Sequence, residues 1–253
     1  MEEGIYYGEI MVTKGKYKGR IGFCDDEEGQ YIYVYWGEMV STLDSCVKIR
    51  KSSVTSEITT YDLVNRLTFL EQKIAQLRCS LQFKDSKMKT YELITDLYGE
   101  YVYCSNLLNR RYEETFYLKG KNDKNIFISH SSVDKQIALY IATDLKLANY
   151  NVWFDLWDLK LGHSIPEQLS KGLDEADYLL MIVSKDYLKS CFCNDEWQGF
   201  YMKQNNSNKL IIPIIIDDSD MPTIIGAKMY YRMMEFSDYS NMIKKLKYDL
   251  SRN

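Results

Sequence analysis

The sequence predicts an α/β protein. Its C-terminal half reads as a parallel sheet covered by helices, preceded by a small SH3-like β-barrel and a helical hairpin. Three observations predict this. From residue 125 onward, strand-sized apolar runs ("NIFIS", "DYLLMIVS", "KLIIPIII") alternate with helical stretches. Such alternation implies parallel strands buried on both faces, because each parallel crossover carries a covering helix. Residues 5–50, by contrast, hold short aromatic and β-branched runs punctuated by glycines at 15, 19, 22, 29 and 37, as a small bent antiparallel sheet requires. Between the two, apolar residues recur at spacings of four and three, the signature of a helix with a packing seam.

Taken in order, "YYGEIMVT", "GRIGFCDD", "YIYVYWG", "MVSTL" and "CVKIR" are the expected strands of the barrel, residues 1–50. "KGKYKGRIG" resembles a KOW-type loop, but it also reads as a solvated hairpin tip, and the acidic "DDEEG" after it would repel phosphates. Residues 51–120 form the hairpin section, opened by a polar linker at 51–58. Thr59 with Asp62 fits a capping box, followed by the seam Leu63, Leu67, Leu70, Ile74, Leu77 and Leu81. After a break at "KDSK" a second helix carries Ile94, Leu97, Tyr101, Cys104, Leu108 and Tyr112. Either the hairpin closes this seam on itself or helices of two chains share it; the tyrosine surplus favours self-association. Residues 121–253 hold the α/β part. Ser131 with Asp134, and Ser164 with Glu167, read as capping boxes of its first two helices. "MYYRMMEF" is the fifth strand and residues 238–251 the last helix.

The formal charge is −4, split as −3 over residues 1–50, +1 over 51–120 and −2 over 121–253. No section has the basic balance of a nucleic-acid-binding domain, so no nucleic-acid partner is expected. The longest apolar run is strand-sized and no basic-apolar leader opens the chain, so neither a membrane span nor a secretory signal is expected and a cytoplasmic location is. The six cysteines include no C-x-x-C pair and the two histidines stand apart, which argues against a structural metal site and for reduced thiols.

Residues 124–251 resemble the TIR (Toll/interleukin-1 receptor) family. "NIFISHSSVD" is similar to the family's first box, and "VWFDLWDLKLGHSIPEQL" to its second strand, BB loop and following helix. "SKDYLKSCFCNDEW" is similar to the segment bearing the catalytic glutamate in those members that are enzymes. The resemblance implies a flavodoxin-like five-stranded sheet of order 2-1-3-4-5, with its crevice beyond the carboxyl ends of the first and third strands. It implies Glu196 as the catalytic residue. It also implies substrate contacts from Ser129 and His130 after strand one, from Asp155, Trp157, Lys160 and Ser164 in or beside the BB loop, and from Phe192. Four of these have a plainer reading beside them: His130 as a loop residue, Lys160 as a solvated charge, Ser164 as a helix cap, Glu196 as a surface glutamate. Many family enzymes carry Trp where this chain has Phe192, which removes an indole donor but keeps a stacking ring.

The implied reaction is cleavage of the nicotinamide–ribose bond of NAD, as substrate rather than cofactor. Its leaving nitrogen is already cationic, so no general acid is needed, and one carboxylate can stabilise the oxocarbenium character where ordinary glycosidases need two. The capturing nucleophile decides between ADP-ribose, a cyclic isomer and a conjugate, and the sequence leaves this open. A role in bacterial antiphage defence or immune signalling follows from the resemblance, with self-association and a trigger or effector protein as partners. The alternative is a non-catalytic adaptor acting by TIR–TIR association.

Overall fold

Six consecutive apolar residues, Tyr178–Val183, are all buried and form the middle of a parallel sheet. A run without polar alternation has no face to offer water, so it is stable only with cover on both sides. In the computed structural model, residues 8–37, 46–81, 88–159, 162, 164–204, 209–220, 230–233 and 238–252 are described. The chain divides into two units, Met1–Arg111 and Tyr112–Asn253.

The first unit begins with an antiparallel sheet of β1 (Gly8–Val12), β2 (Ile21–Glu28), β3 (Tyr31–Tyr35), β4 (Cys46–Arg50) and β5 (Val54–Thr55), in the order β4-β3-β2-β1-β5. Period-two alternation places Ile10, Val12, Cys24, Ile32, Val34 and Ile49 on one buried face. The expected strand "MVSTL" lies outside the described residues. The described fifth strand is Val54–Thr55, within the stretch expected to be linker; it pairs with β1 at Met11 and Val12.

Helix α1 (Thr60–Ser80) opens with the expected capping box: Thr59 accepts from the Asp62 backbone N–H while Asp62 accepts from that of Thr59. It runs beside α2 (Met88–Tyr117); "KDSK" lies outside the described residues. The seam closes within the chain. Leu63 packs with Cys104, Leu107 and the sheet residue Ile21, and Leu70 and Ile74 pack with Leu97. Glu100 of α2 is fully buried here. Arg20 Nε donates to it at 2.7 Å, Arg66 Nε and Nη2 at 2.7 and 2.8 Å, and the Ile21 N–H at 3.0 Å. One buried carboxylate thus joins strand, first helix and second helix, with its lone pairs satisfied by charged donors.

In the second unit β6 (Asn125–Ser129), α3 (Lys135–Leu147), β7 (Asn151–Trp153), α4 (Asp155–Asp158), α5 (Ile165–Glu175), β8 (Tyr178–Val183), α6 (Lys185–Lys189), α7 (Cys191–Gln204), β9 (Leu210–Ile215), β10 (Tyr231–Arg232) and α8 (Tyr239–Arg252) follow in turn. The strands are parallel in the order β10-β9-β8-β6-β7, which counted from β6 is the expected 2-1-3-4-5. Two expected caps are corrected. Ser164 stands at the N-cap of α5 but its side chain makes no capping bond. Helix α3 begins only at Lys135, and only half of the expected box forms: the Ser131 hydroxyl accepts from the Asp134 N–H at 3.3 Å, while the Asp134 carboxylate accepts from that hydroxyl at 2.6 Å. Between β8 and β9 the two helices α6 and α7 are divided at an extended Ser190, whose hydroxyl and carbonyl accept from the N–H groups of Cys193 and Asn194.

Candidate functional site

Chain order reverses beside β6: the path runs from β6 outward to β7, then returns across to β8. The carboxyl ends of β6 and β8 therefore bound a crevice that no crossover helix fills. Ser129 ends β6 there, and α6 and α7 follow β8. Glu196 lies in the second turn of α7, half-buried, and the Ser129 hydroxyl donates to its Oε2 at 2.5 Å. Ser129 itself is 1% exposed and its oxygen also lies 2.9 Å from the Tyr187 hydroxyl.

Burial is the largest influence on Glu196. It raises the carboxyl pKa to about 7; the Ser129 bond opposes this and the negative charge of Asp155 adds to it. A carboxyl group poised near neutral pH at a strand-end crevice is a recognised mark of a functional site. Asp155 begins α4, accepts from Lys135 at 2.8 Å, and keeps a buried oxygen, Oδ1, with no hydrogen-bond partner. His130 Nε2 is 3.7 Å from that oxygen. Burial pushes the imidazole pKa down, with Asp155 pulling the other way. The arrangement gathers Ser129, His130, Asp155 and Glu196 at one end of the sheet.

Of the remaining expected contacts, Trp157 and Ser164 lie among the described residues. Trp157 packs edge-on against Phe154, takes the Lys146 ammonium over its ring at 4.3 Å, and lines a separate groove of about 550 Å³ with Trp153, Tyr117 and Gly120. Its ring thus meets a side chain of α3. Ser164 is exposed at the start of α5. Lys160 and the Phe192 side chain lie outside the described residues. Trp197 belongs to the core with Phe127, Tyr187 and Phe200, its indole N–H donating to Asn194 at 3.0 Å. Cys193 is buried and its thiol pKa is raised by that burial, which disfavours a thiolate nucleophile.

Sequence reasoning missed Tyr187, Ser184 and Asp134. Ser184 caps α6 by accepting from the Tyr187 N–H at 3.0 Å, and donates to Asp134 Oδ2 at 2.5 Å. The signal was a Ser at a strand end with an aromatic residue three positions on, a pattern that carries no chemistry until the two loops are brought together. Among the described residues no group of three or more His, Cys, Asp or Glu is placed to hold a metal ion.

Residues 126–247 match the family model described as TIR domain, and the chain carries a TIR domain there. The chain is also similar to curated proteins. The chain is 28% identical over 149 residues to "2' cyclic ADP-D-ribose synthase AbTIR" of Acinetobacter baumannii (strain 1295743), covering 57% of this chain and 55% of the relative. It is 34% identical over 91 residues to "2' cyclic ADP-D-ribose synthase BtTIR" of Bacteroides thetaiotaomicron, covering 36% and 32%. It is 29% identical over 91 residues to "NAD(+) hydrolase PdTIR" of Paracoccus denitrificans (strain Pd 1222), covering 36% and 30%. The chain thus spans about half the length of the first relative and about a third of the other two.

Proposed function

We propose that the TIR unit of this chain cleaves NAD at the nicotinamide–ribose bond, with Glu196 as the catalytic carboxylate. The observation that carries the reading is the Glu196 carboxyl itself, held on one oxygen by Ser129 at the carboxyl end of the sheet. Relatives named as cyclic ADP-ribose synthases and as an NAD hydrolase support the substrate. Ionised Glu196 stabilises positive charge developing on the ribose as neutral nicotinamide leaves. The unpartnered Oδ1 of Asp155 is an acceptor available to a ribose hydroxyl, and the lowered basicity of His130 suits a neutral donor or stacking partner. Water as the capturing nucleophile gives ADP-ribose; a hydroxyl of the same molecule gives a cyclic product.

The test is incubation of the purified full-length chain with NAD and identification of products by mass. Nicotinamide release that disappears in Glu196→Gln supports the reading; equal release by the folded variant overturns it. Copies of the chain also associate in this proposal, using the outer face of the hairpin where Tyr91 and Tyr98 are half exposed. Light scattering over a concentration series tests this, and a strictly monomeric chain at every concentration refutes it.

A further inference from the structure

We propose that Tyr187 is a positioning residue for this reaction: acting through Ser129, it orients the Glu196 carboxyl group and favours its ionised form. The inference rests on the catalytic reading of Glu196 given above.

The argument is one of proton direction. A serine hydroxyl has one proton to donate and lone pairs to accept with. The Ser129 oxygen stands 2.5 Å from Glu196 Oε2 and 2.9 Å from the Tyr187 hydroxyl. An ionised carboxylate only accepts, so with Glu196 charged the Ser129 proton must point to it. The Tyr187 phenol must then donate to Ser129, and a chain polarised in this sense strengthens its last bond. Tyr187 is suited to be the permanent donor. It is fully buried, and that burial holds its phenol protonated well above the ordinary range.

Its position is fixed from both sides of the crevice. The ring is packed among Phe127, Trp197 and Phe200. Its backbone N–H is held by Ser184, whose hydroxyl donates to Asp134 Oδ2 at 2.5 Å. Asp134 also accepts from Ser131 at 2.6 Å. The loops after β6 and β8 are thereby tied together beneath the tyrosine. Glu196 Oε2 is occupied by this chain of bonds, which leaves the other oxygen to face a substrate. The groups around Glu196 divide in their effect. Burial and Asp155 oppose ionisation, Lys135 partly screens Asp155, His130 is biased to neutrality, and Cys193 stays a thiol. Ser129 is the contact that favours the charged form.

The experiment follows the Glu196 carboxyl directly in the full-length chain by carbon NMR of 13C-labelled glutamate, assigned by loss of the signal in Glu196→Gln. In Ser129→Ala the titration midpoint should rise by roughly one pH unit, and in Tyr187→Phe it should rise by a smaller step. Tyr187→Phe keeps the ring and serves if Ser129→Ala does not fold. The acid limb of kcat for NAD cleavage should move up with the midpoint while KM stays within about twofold, and Ser129→Thr should restore the wild-type profile. An unmoved midpoint in folded Tyr187→Phe overturns the proposal. So does a raised KM with an unmoved pH profile, which would make Ser129 a substrate contact. A wild-type chain that leaves NAD intact overturns the catalytic reading instead, and the titration still decides whether Tyr187 sets the ionisation of Glu196.

Discussion

Glu196 stands between two requirements, because a carboxylate that stabilises positive charge works best away from water, and that same place resists its ionisation. The result is a pKa of about 7, so NAD cleavage should rise with pH through a midpoint near neutrality. Glu196→Gln should lower kcat by roughly 10²–10³-fold, the usual loss when one electrostatic stabiliser is removed. The same group makes a stability prediction. Its folded pKa lies above its ordinary value of 4.5, so the native state holds this proton more tightly than the unfolded chain does. The stability it contributes is complete below pH 4.5 and is lost as pH rises through 7. Glu196→Gln should therefore match the wild type at pH 4 and exceed it at pH 8, by roughly 1–3 kcal/mol once partial solvent access is allowed for. Thermal melts at the two pH values check the sign; a variant less stable than wild type at pH 8 contradicts it. Asp155→Asn removes a negative charge that raises the Glu196 pKa, so the activity midpoint should move down, read from the pH dependence of kcat.

At the scale of elements, two close approaches carry testable consequences. Gly172 of α5 lies against the indole of Trp153, and a Cβ there would stand 2.6 Å from Nε1 and 2.7 Å from Cε2. Gly172→Ala should cost roughly 1–3 kcal/mol, because the ring is stacked on Phe127 at 4.4 Å and has little room to retreat. Urea denaturation of the variant measures it. In the first unit, Glu100→Ala removes the acceptor shared by Arg20 and Arg66 and leaves both guanidinium groups without it. A loss of roughly 3–5 kcal/mol is expected, seen as earlier exchange of amide hydrogens in α1 and α2. Leu70 and Ile74 are closed against Leu97 of the same chain. Changing them to Asp would open the hairpin itself, so it is not a clean probe of association.

At the scale of the whole chain, the division between the units falls inside one helix. Residues 112–117 of α2 belong to the second unit, where Thr115 is buried and its carbonyl accepts from Lys146 at 3.0 Å. Burial raises the Tyr112 phenol pKa, with Tyr140 and Asp144 adding to it. A fragment beginning at Tyr112 should therefore melt higher than one beginning at Lys121, and calorimetry of the two decides it. If the longer fragment cleaves NAD as fast as the full chain at every concentration, the first unit acts as something other than an organiser of the TIR unit.

The sequence by itself determined the layers and their order. Uninterrupted apolar runs such as "YLLMIV" demand cover on both faces, and spacings of three and four demand paired helices; these are local consequences of side-chain period. It also pointed to Glu196, because the order and spacing of three boxes resemble a known family. Tertiary structure alone decided which neighbours that carboxyl would meet. Ser129, Tyr187 and Asp155 lie 67, 9 and 41 positions from Glu196, on separate elements, and no spacing rule joins them. Trp157 makes the same point from beside the BB loop: its ring meets the Lys146 ammonium of α3, 11 positions away, a contact that no local pattern announces. Periodicity fixes which face a side chain takes on its own element, while the partner across the crevice is set by how the crossovers bring strand ends together, and that is information no single element contains.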